Sequence, residues 1–346
     1  HARTPFPVRG AAIVPNAPDC VAWVAALASP QEDRVMRLGF VGTGTMGAAM
    51  AACLIDAGHG LTIYDPRAEA MAPLRARGAV AAANPRAVAA ASEAVFASLP
   101  GPAEVERVAL DPESGVLAGL TAGGVLIDMT TNAPAVARRV AEACRVRGIA
   151  MLDAPVSGRP PGMTVMAGGE AAVFARVRPL LAAMAGNIFH VGPAGAGCIA
   201  KLVTQYLGYT NFVAALEGML IGAKAGIDLS VLAAIVPVSA GASRTFDNIP
   251  RGVFPGSFAA GGTLDIVAKD LALACALARE VGAPAATGLH AHDILARAQA
   301  QGWGGEGFPI AARILEEMAG CELRAAAQEG PRPYEAADPR RDPKRT

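Results

Sequence analysis

The sequence predicts a doubly wound parallel α/β sheet followed by an all-α domain that begins in one long helix. Three observations predict it. Short apolar runs alternate with helical stretches from Arg37 to about Val191, a glycine-rich turn joins the first run to the first helix, and after Gly195 the apolar spacing changes to three and four.

Taken in order, Arg37–Gly42 reads as a buried strand and Thr45–Ala57 as a helix with Met50 and Leu54 on one face. Leu61–Asp65 is a second strand, followed by a helix near Ala68–Arg77. Ala94–Leu99, Val125–Met129 and Ile149–Leu152 are further strands with helical stretches between them. Apolar runs this short and this continuous suit strands covered on both faces. Thr164–Met166 and Ile188–Val191 complete the sheet around a helix near Ala171–Met184. Then Ile199, Leu202, Val203, Tyr206, Val213, Leu216 and Leu220 recur at helical spacing, with no breaker before Gly226. That is one helix of about 30 residues, roughly 45 Å long. Helical patterns continue to about Ala319, and from Glu322 the chain turns polar and proline-rich. The expected organisation is an appended segment over 1–34, a nucleotide-binding sheet domain over 35–194, an all-α domain over 195–321 and a disordered tail over 322–346.

Composition narrows the function classes. Of 346 residues, 53% are apolar, and 30 Lys and Arg balance 30 Asp and Glu, so no net field draws the chain to nucleic acid or an anionic membrane surface. The apolar run 11–28 is interrupted by Pro15, Asn16, Pro18 and Asp19, which argues against a signal peptide, and no run is long enough to span a membrane. Six cysteines without a C-x-x-C pair fit neither a zinc site nor a disulfide framework, and point to a reducing, cytoplasmic setting. His290 and His292, two apart on a helix, face different ways, so no metal is expected.

Gly42-Thr43-Gly44-Thr45-Met46-Gly47 is G-x-G-x-x-G between a strand and a helix, the context of a Rossmann dinucleotide site. Gly42 permits the tight turn, Gly44 admits the pyrophosphate, and Gly47 lets the helix approach the sheet, with Met46 in the same loop. Free amides at the helix start would face the phosphates. Asp65 closes the second strand and can accept hydrogen bonds from both ribose hydroxyls, which favours NAD. Arg67, two residues on, keeps NADP possible through a 2′-phosphate.

With these residues in place the chain resembles the β-hydroxyacid dehydrogenases, the 3-hydroxyisobutyrate dehydrogenase family. The glycine loop followed by Ala48-Ala49-Met50-Ala51 resembles that family's opening. Asp153-Ala154-Pro155-Val156-Ser157-Gly158, Gly195-Ala196-Gly197-Cys198-Ile199-Ala200-Lys201 and Lys269-Asp270-Leu271 resemble three later motifs in the same order. The resemblance implies Lys201 as catalytic acid/base, Ser157 and Gly158 as holders of a substrate anion, Leu99 and Thr131 beside the nicotinamide, and Lys269 over the cofactor. It also implies a short anionic hydroxyacid or semialdehyde as substrate, and a homodimer or homotetramer built through the long helix.

Two positions depart from the family pattern. Gln205, one turn beyond Lys201, replaces the usual asparagine and lengthens the amide by one methylene. Gly158-Arg159-Pro160-Pro161-Gly162 is shorter than usual and carries Arg159, which is expected either to grip a substrate anion or to face solvent. Asp153 is expected to fix the active-site loop rather than to move protons. Imine or other carbonyl reduction on the same scaffold, and a catalytically silent binding protein, stay open as alternatives.

Overall fold

The computed structural model describes residues 36–259 and 262–325. The expected N-terminal segment, 1–34, and the tail beyond 325 lie outside them.

The sheet is built from β1 (Arg37–Val41), β2 (Gly60–Tyr64), β3 (Val80–Ala81), β4 (Ala94–Ala97), β5 (Val125–Asp128), β6 (Ala150–Asp153), β7 (Val156–Ser157), β8 (Met163–Gly169) and β9 (Ala185–Gly192). Between these strands run α1 (Thr45–Asp56), α2 (Ala68–Arg75), α3 (Pro85–Ala90), α4 (Pro102–Leu110), α5 (Val116–Gly119), α6 (Pro134–Val146) and α7 (Ala171–Ala182). The strand order is β3-β2-β1-β4-β5-β6-β8-β7, with β9 also paired to β8. From β3 to β6 every pairing is parallel. The chain reverses direction across the sheet between β1 and β4, which opens a crevice at the carboxyl ends of those strands.

Burial explains why these runs become strands. Every residue of β4 and β5 is buried, because helices cover both faces. Phe40, Met50, Leu54 and Ile63 pack on one face of the sheet, and Val88, Val95, Val105 and Val140 on the other. The sequence reading missed β3 and β7, which have two residues each and no alternation to detect. It also missed that β8 runs antiparallel to β6 and β7.

The sheet ends at Gly192, and α8 (Ala196–Lys224) follows as a single helix of 29 residues. Then come α9 (Leu229–Ile235), α10 (Leu264–Val281), α11 (Ala286–Ala300) and α12 (Ala312–Ala319). Phe212, Leu216, Phe254, Leu271, Ile294 and Leu315 close a separate core among these helices. The chain past Ala319 stays anchored for several residues. Leu323, expected in the tail, is fully buried, its amide donates to Glu316 Oε1 at 2.9 Å, and Arg324 pairs with the same carboxylate. No helix among the described residues is long and apolar enough to cross a membrane.

Candidate active site

The loops after β1, β4, β5 and β6 all emerge at one edge of the sheet, since these strands are parallel. The first is the glycine loop. Gly42 has φ +89, its amide donates to Tyr64 O at 2.9 Å, and a Cβ there would lie 2.1 Å from Ser98 O. A Cβ on Gly47 would lie 1.8 Å from Gly42 O, so only glycine lets α1 come this close. No side chain caps α1 and no acidic residue sits in its first turn, which leaves its leading amides free for an anion. Thr43 is buried, with its Oγ1 unpartnered. These features fit a dinucleotide pyrophosphate.

Asp65 follows β2 and is buried. Its Oδ2 accepts from Thr43 N at 2.9 Å, and its Oδ1 accepts from Arg67 N at 3.0 Å and Arg67 Nε at 3.2 Å. Burial alone would raise its carboxyl, but the hydrogen bonds from Arg67 and Thr43 outweigh it and hold the group below its usual value. Arg67 thus lies on Asp65 instead of extending freely toward a phosphate. Its second contact with Oδ2 is long, at 3.5 Å, so that oxygen retains acceptor capacity.

After β4 and β5 the loops are tied together, with Leu99 N donating to Thr130 Oγ1 at 3.0 Å. Asp128, fully buried, accepts from Thr130 N at 3.0 Å and Asn132 Nδ2 at 3.1 Å and so shapes the turn that carries Thr131. Burial pushes its carboxyl up to about 6, against those hydrogen bonds. Lys269, from α10, reaches across this edge. Its Nζ donates to Thr131 O at 3.4 Å, and its stem would touch a Cβ on Gly101 at 3.3 Å.

Beyond β6, Ser157 sits in β7, half-buried and paired with Thr164 of β8. The segment from Gly158 to Gly162 is therefore the turn of a hairpin. Gly158 has φ +86. Arg159 is exposed and makes no hydrogen bond or ion pair among the described residues.

Lys201 lies in the second turn of α8, 6% exposed. Burial pushes its ammonium down to about 8, Asp270 opposes that shift and Lys269 assists it. Asp270 is buried. Its Oδ1 lies 2.8 Å from Lys269 Nζ, an ion pair without hydrogen-bond alignment, and its Oδ2 accepts from Gln205 Nε2 at 2.6 Å. The same amide nitrogen donates to Tyr209 Oη at 2.7 Å. Lys201, Gln205 and Tyr209 stand four apart on one face of α8. The structure thus joins Gln205 and Lys269 through Asp270, whose charge also acts on Lys201 and which the sequence reading quoted in a motif but gave no role. Tyr209 was missed as well, although its spacing from Lys201 marks it.

The chain matches two family models. Residues 37–192 match the NAD binding domain of 6-phosphogluconate dehydrogenase, and residues 195–315 match the NAD-binding domain of NADP-dependent 3-hydroxyisobutyrate dehydrogenase. It is 33% identical over 297 residues to 2-(hydroxymethyl)glutarate dehydrogenase of Eubacterium barkeri, covering 84% of this chain and 98% of that protein. It is 34% identical over 296 residues to an NAD-dependent L-serine dehydrogenase of Pseudomonas aeruginosa, covering 82% and 99%. The crystal structure of 3-hydroxyisobutyrate dehydrogenase from Salmonella typhimurium superposes with a TM-score of 0.72 at 33% identity, over 81% of this chain and 99% of that one.

Proposed function

The chain belongs to the β-hydroxyacid dehydrogenase family, and on that premise we propose that Lys201 is the acid/base of its reaction. It is an NAD(P)-dependent oxidoreductase that interconverts a hydroxyacid and its semialdehyde. The observation that carries the role of Lys201 is its burial beside the Asp270–Lys269 pair, where Lys269 also reaches the sheet edge at Thr131.

A bound nicotinamide cofactor would supply the hydride acceptor for oxidation of the substrate carbinol and the hydride donor for the reverse reduction. Gly42, Gly44, Met46 and Gly47 with the free start of α1 would hold the pyrophosphate, and Leu99, Thr131 and Lys269 would border the nicotinamide. Asp65 would receive the adenosine ribose through Oδ2, which favours NAD over NADP. Lys201, neutral in a good fraction of molecules near pH 8, takes the hydroxyl proton in oxidation and returns it in reduction. Ser157 and Gly158 would orient the substrate carboxylate, and Arg159, free at the hairpin turn, would steer anions toward it. The unpaired cysteines Cys53, Cys144, Cys198, Cys275 and Cys321 accord with a reducing cytoplasm. Val203, Leu207 and Ile221 of α8 are apolar and exposed, which accords with a homo-oligomer.

The test is initial rates with NAD and NADP in turn, over short hydroxyacids and their semialdehydes. Turnover is expected, higher with NAD, and Lys201→Ala should lower kcat by about 100-fold or more with cofactor binding nearly intact. Near-normal turnover in that variant would remove Lys201 from its role. Silence across the panel with cofactor still bound would favour an imine or a larger carbonyl substrate.

A further inference from the structure

An amide side chain is ambiguous as a recognition element, because one end donates and the other accepts. At Gln205 the surroundings remove the ambiguity. Asp270 is acceptor-only, so the amide nitrogen must face it, at 2.6 Å. The second N–H is directed to Tyr209 Oη at 2.7 Å. Both donors of the amide are then used inside the protein. The carbonyl Oε1 has no partner among the described residues, and Gln205 stands on the helix face that also carries Lys201.

From this arrangement we propose that Gln205 is a specificity-determining residue that presents a fixed acceptor to the substrate, with Asp270 as the residue that positions it. A substrate carboxylate is repelled from that carbonyl, and a methyl group leaves it unpaired. The reacting hydroxyl has a single proton, and that proton goes to Lys201. The group that satisfies Gln205 is therefore a second donor. The preferred substrate is a short hydroxyacid that carries a hydroxyl or an ammonium on the carbon next to the reacting carbinol. This rests on the dehydrogenase reading above.

Four short acids with the same reacting CH2OH and the same three-carbon backbone test it, differing in what C2 carries: glycerate (hydroxyl), serine (ammonium), 3-hydroxyisobutyrate (methyl) and 3-hydroxypropionate (hydrogen). With the wild-type enzyme, kcat/KM for glycerate or serine should exceed that for 3-hydroxyisobutyrate by about tenfold or more, because a polar site left unpaired penalises the analogue. Which of the two leads separates a hydroxyl from an ammonium. The ratio, taken within each variant, should collapse toward one in Gln205→Leu. It should also fall in Asp270→Asn, whose side chain no longer dictates the amide's direction, and persist in Tyr209→Phe, where Asp270 still does. A wild type in which neither glycerate nor serine exceeds 3-hydroxyisobutyrate, or a ratio that survives Gln205→Leu, would overturn the proposal while leaving the dehydrogenase reading in place. No turnover of any of the four acids or their semialdehydes would overturn both.

Discussion

Burying an ammonium costs several kcal/mol unless a counter-charge meets it. Lys201 has no hydrogen-bond acceptor at its Nζ among the described residues, and Asp270 recovers only part of the cost. The fall from 10.5 to about 8 corresponds to about 3 kcal/mol of destabilisation at neutral pH. The folded chain binds this proton less readily than the unfolded chain between those two values. Stability therefore rises with pH across that window and carries the full penalty below it. Two consequences can be measured. The kcat/KM for hydroxyacid oxidation should rise through about pH 8 as Lys201 becomes the free base, since this parameter titrates the free enzyme. Lys201→Met should unfold at higher urea or temperature than the wild type at pH 7, with the gap narrowing by pH 10. A less stable methionine variant at pH 7 would mean that the lysine is satisfied where it stands.

At the scale of elements, Lys201 is placed by the start of α8, and that start is pinned to the sheet by one carboxylate. Asp153, at the end of β6, accepts from Gly195 N at 2.7 Å through Oδ1 and from Cys198 N at 2.8 Å through Oδ2. Burial raises its carboxyl, and those two amides oppose the rise. Charge-assisted bonds of this kind contribute about 1.5–3 kcal/mol each. Asp153→Ala should therefore cost about 3 kcal/mol or more in unfolding free energy. It should also lower kcat, because Lys201 lies three residues beyond the released turn. Unchanged stability in urea would show that the junction is held by packing alone. The expectation that Asp153 fixes structure arose from its place at a strand end, and the glycine loop and long helix were legible in the same local way, through spacing and period. The Gln205–Asp270 clamp was not legible, because it exists only once α8 and α10 pack. The hairpin of β7 and β8 escaped because a two-residue strand has no period. Leu323 escaped because its burial depends on a pocket made by distant helices.

For the whole molecule, α8 poses a problem that one copy of the chain does not solve. Its inner face, with Phe212, Leu216 and Leu220, is core. Its outer stripe, Val203, Leu207, Asn211, Ala214, Gly218 and Ile221, recurs at four- and three-residue spacing and is nearly as apolar. Val203, Leu207 and Ile221 remain 52%, 54% and 71% exposed. A helix that is apolar on opposite faces belongs inside something. The order of residues fits a second copy related by a two-fold axis, which brings the same patch from each partner together. An axis between Asn211 and Ala214 would set Val203 and Leu207 of one copy against Ile221 and Gly218 of the other, with those two smaller side chains at the crossing. The wild type should therefore scatter light as a dimer or a multiple of one. Gly218→Arg discriminates cleanly, because a Cβ there meets nothing within 4 Å in the single chain. The variant should keep its helical circular dichroism and fall apart to monomers, since no neighbour within the chain opposes the new side chain. A monomeric wild type, or a Gly218→Arg variant that still assembles, would place the seam elsewhere and leave the stripe unexplained.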